Sequence, residues 1–173
     1  MPRIPYFDYS QSSPELAAAM KGRPPLNIYR MIAHGDAAAI TFLELGRSLL
    51  TASAIDPALR ELVILRVTTL CGATYEELQH RKVAARIGVP IEKVEAVIAN
   101  QGEPVQPVGL EKSERAVLRF TDKVVRDVKA PAALFREIAE MLTPRQIVEL
   151  LMVIGFYMMA SRISENLEID LES

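Results

Sequence analysis

The sequence predicts an all-α single domain, and three observations lead there. A capping residue stands directly before proline at Ser13-Pro14, Asp56-Pro57 and Thr143-Pro144. That pairing starts helices, because the cap's side chain accepts a free backbone N–H and proline has none to leave unpaired. Apolar residues recur at helical spacing between these starts. No segment alternates apolar and polar residues with turn signals on both sides, as a half-buried strand would. The 173 residues make one domain with a sizeable core. Half of them are apolar and Trp is absent, so Leu, Ile, Val, Ala and Met must build that core.

The elements follow in order. Residues 1–26 read as an N-terminal arm holding one short helix, from Pro14 to about Lys21, broken by Arg23-Pro24-Pro25. Asn27 to Ala33 is a second short helix, stopped near Gly35. From Asp36, the spacing of Ile40, Leu43, Leu45, Leu49 and Leu50 predicts a third; Pro and Gly mostly fall between the periodic segments, with Gly46 and Gly155 the exceptions. The helix after Asp56 runs to about Gly72 and is largely buried. Its stretch Glu61 to Leu70 is rich in β-branched residues and is the one place where a strand competes. Thr74-Tyr75-Glu76-Glu77 has the form of a capping box, predicting a helix from Tyr75 to about Ile87, stopped by Gly88. A short helix follows Pro90. Asn100 to Leu110, with two prolines and two glycines, reads as a loop. Ser113 to Val128 is amphipathic, with Val117, Phe120, Val124 and Val128 on one face. Pro131 to Met141 is another helix, and a last long one runs from the Thr143 capping box to about Asn166.

Composition excludes several classes of function. The net charge is -2 and no basic cluster is present, so nucleic acid is not an expected partner. One cysteine, Cys71, allows no intrachain disulfide and no cysteine-rich zinc site. It fits a reducing compartment, and with no secretory leader visible over Met1 to Ser13 a cytoplasmic location is expected. The most apolar run, Leu150 to Ser161, is shorter than the roughly 20 residues that cross a membrane, so no membrane partner is expected. A helix apolar all round sits in a core or between subunits, which points to a homo-oligomer.

Two histidines carry the candidate chemistry. His80 lies on the helix that begins at Tyr75, with Glu76 four residues and Glu77 three residues before it on nearby faces. Glu76 stands in the first turn, where the helix dipole favours a carboxylate. Glu61 lies on the preceding helix, and antiparallel pairing would bring it to the same spot. A histidine titrates near neutral pH and suits proton transfer. A single histidine on an amphipathic helix is nevertheless more often a surface or satisfied core residue, and a tyrosine such as Tyr75 more often packs than reacts. His34, before Gly35, either meets a helix C-terminus and its dipole or adds to the same site.

The segments Arg60-Glu61-Leu62-Val63-Ile64-Leu65-Arg66-Val67, Tyr75-Glu76-Glu77-Leu78-Gln79-His80 and Ala84-Ala85-Arg86-Ile87-Gly88-Val89 resemble the core motif of carboxymuconolactone decarboxylase-like proteins, which include the AhpD-type alkylhydroperoxidases. The resemblance continues through Ser113-Glu114-Arg115-Ala116 and Ile154-Gly155-Phe156-Tyr157, and covers most of the chain from about Asn27. It implies an AhpD-like bundle of about seven or eight helices that assembles as trimers or hexamers. The redox members carry a CxxC pair ahead of the histidine. Here Ala73 and Glu76 stand at those places, so a dithiol peroxidase cycle is not expected. The decarboxylase branch implies a lyase without cofactor or metal, acting on a small carboxylated lactone or related intermediate of aromatic breakdown. His80 would be the acid/base, Glu61 or Glu76 would orient it, and Tyr75 would donate a hydrogen bond. Arg81 and Arg60 are candidates to hold the substrate carboxylate, with His34 a further contact. The competing readings are a non-catalytic oligomeric binding protein on the same fold and, behind it, a peroxidase-related protein using Cys71.

Overall fold

The computed structural model describes residues 1–99 and 109–172, and these are all-helical. Nine α-helices appear among them: α1 (Pro14–Met20), α2 (Asn27–Ile32), α3 (Ala37–Thr51), α4 (Pro57–Leu70), α5 (Thr74–Arg86), α6 (Ile91–Ile98), α7 (Lys112–Asp127), α8 (Ala132–Met141) and α9 (Pro144–Leu167). Eight of them lie outside the arm, at the upper end of the expected count. Most of the loop read between Asn100 and Leu110 lies outside the described residues.

The three proline-linked starts form as expected. The side chains of Ser13, Asp56 and Thr143 accept the N–H groups of Leu16, Leu59 and Gln146. The Thr74 capping box does not form. Thr74 is already helical, Ala73 takes the cap position, and Glu77 instead accepts from the Thr69 hydroxyl at 3.1 Å and from Arg81 at 3.2 Å. An unforeseen box opens α7, where Glu114 reaches back to the Glu111 N–H at 2.8 Å.

The β-branched stretch is helix α4, and it is the axis of the fold. Leu62, Val63, Ile64, Leu65 and Val67 are fully enclosed, each worth roughly 1.5–3 kcal/mol over exposure. A helix surrounded on all sides needs no polar face, which is why periodicity alone could not separate it from a strand. Helices α5, α6, α7 and α9 pack around it. Arg66, wholly buried on α4, is met by both oxygens of Asp122 on α7, at 2.6 and 2.9 Å, and by the Val97 carbonyl at 3.1 Å. The bidentate pair offsets the cost of burying the charge.

On α7, Val117 and Phe120 are buried as expected, but Val128 is 86% exposed. The helix ends at Asp127 and Val128 turns to φ 65°, which swings it off the apolar face. The apolar run read as twelve residues sits within the 24 residues of α9. That helix is long and apolar enough to cross a membrane, yet half of its most apolar window is buried against the rest of the protein. At its end Glu168 adopts φ 51°, and Ile169 N–H bonds back to Ser164 O at 3.1 Å, returning the tail across the molecule. The arm meets that tail: Arg3 N–H bonds Leu167 O at 3.0 Å, and the Tyr6 hydroxyl accepts from Asp170 N–H at 3.1 Å.

Candidate active site

A cavity of about 360 Å³ lies in the cleft between α3 and α5, floored by α9 and closed at one end by α2. Its body is apolar and aromatic: Ile28, Phe42, Leu43, Leu50, Phe156 and Tyr157 line it. Gly46 allows the close approach of α3 to α9, since a Cβ there would lie 2.8 Å from Phe156 Cζ. Phe42 and Phe156 meet at 4.4 Å between ring centres, and the Tyr157 ring stands edge-on to His80 at 4.7 Å.

His80 reaches this cavity from α5 and is 7% exposed. Its Nδ1 is 2.7 Å from Oε2 of Glu61, which is fully buried on α4. The antiparallel α4–α5 packing makes this pair, as the sequence suggested. Glu61 accepts from Nδ1–H, so the imidazole turns the lone pair of Nε2 toward the cavity. Among the described residues no protein group bonds Nε2.

Glu76 also lines the cavity, 6% exposed, and its Oε1 has no partner among the described residues. It does not hold His80, because Glu61 already occupies Nδ1. Burial pushes its carboxyl above the ordinary range. The charge of His80 opposes that push, and the carboxylates of Glu165 and Glu172 add to it. A buried carboxyl held toward its neutral form is a proton donor.

Tyr75 lines the cavity but spends its hydroxyl on the tail. It donates to Glu172 Oε1 at 2.5 Å and accepts from Ile28 N–H at 3.2 Å. Burial, then the bond to Glu172, raises the phenol far above its usual range, so it is a positioned polar contact and not a base. Glu172 also accepts from Asn27 N–H at 2.7 Å and from the Gln79 amide. Burial raises this carboxyl, but the hydrogen bonds from Tyr75, Asn27 and Gln79 outweigh it and hold the group below the usual range.

The structure places the other candidates elsewhere. Arg81 bonds Glu77 at 3.2 Å and Glu95 at 2.8 Å, and Arg60 lies buried 3.8 Å from Glu61. Neither lines the cavity, because each has a carboxylate on its own side of the helix pair. His34 donates its Nε2–H to the Pro5 carbonyl at 2.8 Å and packs edge-on to Phe7, so it ties down the arm and does not line the cavity. Cys71 is half-buried at the end of α4 and does not line it either. Sequence reasoning missed the whole α3 wall, Tyr29, Tyr157, Gln79 and Glu172. The signal available was a glycine inside a helix, but the sequence offers two, Gly46 and Gly155, and only Gly46 meets a neighbour closely. Among the described residues no cluster of His, Cys, Asp or Glu could hold a metal ion.

Several solved structures share this architecture at low sequence identity. The structure superposes on the AhpD-core, peroxidase-related protein of Ralstonia eutropha JMP134 with TM-score 0.82 and 15% identity, over 99% of this chain and 93% of that one. A peroxidase-related protein of Silicibacter sp. TM1040 gives 0.79 and 17%, over 99% and 94%. A cysteine-to-alanine variant of the debrominase Bmp8, in complex with 2,3,4-tribromopyrrole, gives 0.79 and 18%, over 100% and 95%. At these identities the likeness is one of fold. No curated protein sequence matches the chain. Residues 36–122, half of the chain and the span that carries α3, Glu61, Glu76 and His80, match the carboxymuconolactone decarboxylase family, and on that match the chain belongs to the carboxymuconolactone decarboxylase family.

Proposed function

We propose that the protein is a cofactor-independent lyase of the carboxymuconolactone decarboxylase type, acting on a small carboxylated lactone or a related aromatic-degradation intermediate. The observation that carries this reading is the buried Glu61 oxygen 2.7 Å from His80 Nδ1, with Nε2 free at the cavity wall. An orienting carboxylate fixes the tautomer and stabilises the imidazolium when it forms, which is what a general acid/base needs.

In the reaction, the bond from the ring carbon to the carboxylate breaks and carbon dioxide leaves. Its electron pair passes into the unsaturated lactone as a dienolate. A proton delivered through His80 Nε2 or the Glu76 carboxyl then closes the carbon. Solvent restores that proton. Phe42, Phe156 and Tyr157 exclude water from the ring and favour the uncharged carbon dioxide over the carboxylate. A non-catalytic binding protein on the same fold would need no oriented histidine beside an open cavity, so the geometry counts against that reading. A peroxidase reading would rest on Cys71, which does not line the cavity that His80 reaches.

The test is an ultraviolet assay of wild type and His80→Ala against a panel of carboxylated γ-lactones, with peroxide reduction alongside. Loss of a positioned acid/base costs about 10²–10⁴-fold, so turnover should fall by at least about a hundredfold in the variant. Turnover retained by His80→Ala, or absent from the wild type on every lactone, would refute the proposal.

A further inference from the structure

Charge on the cavity wall of this protein is one-sided. Four of its basic side chains line the cavity, Arg23, Arg47, Lys82 and Arg86, against a single acid, the buried Glu76. Arg23 is committed: it donates to the carbonyls of Ala19 at 2.8 Å and Leu43 at 3.3 Å, and lies over the Tyr29 ring. The other three are exposed, and among the described residues none of them has a hydrogen bond or ion pair. That contrasts with Arg3, Arg66, Arg81, Lys93, Arg119 and Arg145, each of which meets a carboxylate.

Their placement follows from helix geometry. Tyr75, Gln79, Lys82 and Arg86 fall at i, i+4, i+7 and i+11 of α5, so they form one stripe down the cavity wall. Arg86 lies roughly 9 Å further along the helix axis than His80, six residues at 1.5 Å each. Arg47 comes from α3, the opposite wall. The cavity thus has an acid/base end at Glu76 and His80, an apolar body, and a cationic mouth.

We propose that Arg47, Lys82 and Arg86 form an anion-binding rim that selects ligands carrying an anionic group at the far end from the atom that meets His80. This inference rests on the cavity being the substrate site of the proposed lyase. It gives exposed side chains of α3 and α5 a second, distal anion, different from the substrate carboxylate expected at Arg60 and Arg81. It also sets an orientation. The anion held at the rim is distinct from the group that reacts beside His80, so the ligand is a small ring with a charged substituent pointing outward. A field of one sign at the mouth of an apolar cleft also raises the capture rate of such ligands.

The experiment measures equilibrium binding by calorimetry, so that it stands apart from turnover. The probes are benzoate, phenyl phosphate and the neutral isostere benzamide. Benzoate should bind wild type about tenfold tighter than benzamide at low salt, with that preference shrinking as salt rises. Arg47→Gln, Lys82→Gln and Arg86→Gln should each weaken benzoate by about threefold, as partly exposed ion pairs do, and the triple variant should abolish the preference. Benzamide binding and the circular dichroism spectrum should not change, because these side chains are exposed and have no hydrogen bond or ion pair among the described residues. Lys112→Gln, a cation outside the cavity with no ion pair among the described residues, is the control and should bind as wild type does. Tighter binding of phenyl phosphate than of benzoate, lost in the triple variant, would support the rim with a phosphoryl group as the anion it holds. Equal binding of benzoate and benzamide, no benzoate binding, or an unchanged preference in the triple variant would overturn the rim whatever the lactone assay shows.

Discussion

Gly46→Ala tests the wall that shapes the cavity. A Cβ at this position would meet Phe156 Cζ at 2.8 Å and Cε1 at 3.3 Å. Ordinary contact begins at 3.4 Å, so the ring must retreat by about 0.6 Å. It has little room to do so. Phe42 holds it at 4.4 Å and Tyr157 at 5.3 Å, and Tyr157 in turn rests on His80. Overpacking of this kind costs about 1–3 kcal/mol. Alanine in a helix interior is favoured over glycine by about 0.8–1 kcal/mol. The balance is a net loss of about 1 kcal/mol, or roughly 2–4 °C in Tm for a domain of this size. Urea unfolding followed by circular dichroism measures it, with an unchanged m-value as the check that the unfolded state is the same. In a Phe156→Leu background the penalty should vanish and alanine should stabilise, because the clash has gone and only the helix preference remains. A Gly46→Ala protein stabilised by about 1 kcal/mol in the wild-type background would refute the reasoning, since helix propensity would then be the whole effect.

Two further predictions concern charge and assembly. The carboxyl of Glu76 is raised above its ordinary value of 4.5 in the folded protein; a raised group stabilises the fold fully below that value and loses its contribution as pH rises through the folded one. Glu76→Gln keeps the shape and stays neutral, so its stability relative to wild type should grow from about pH 4 to pH 8; a gap constant across that range in denaturant titrations would contradict the assignment. Val148, Leu151, Met152 and Met159 leave large apolar surface exposed on α9, and we expect a trimer or hexamer built on that face. Sedimentation at micromolar concentration should show it, with Leu151→Lys shifting the distribution to smaller species, whereas a wild-type monomer alone would sink the proposal.

What the sequence determined by itself was local. Ser13, Asp56 and Thr143 each cap a helix through an N–H three residues away, so the starts of α1, α4 and α9 were legible without any tertiary partner. The nineteen-residue spacing of Glu61 and His80 was also legible, because a short turn forces α4 and α5 antiparallel and side by side. Partner choice was not legible. Whether Glu61 or Glu76 holds His80, whether Arg60 and Arg81 face substrate or a neighbouring carboxylate, and whether Thr74 caps or enters its helix all depend on which groups packing brings within about 3 Å. The cavity itself joins Gly46, Arg47, Lys82, Arg86, Phe156 and, through Tyr75, the tail residue Glu172. Those positions lie on four segments far apart in the chain. Only the folding of α3, α9 and the tail around the buried α4 decided that they meet, because a helix's own periodicity says which face is apolar and not what that face will be set against.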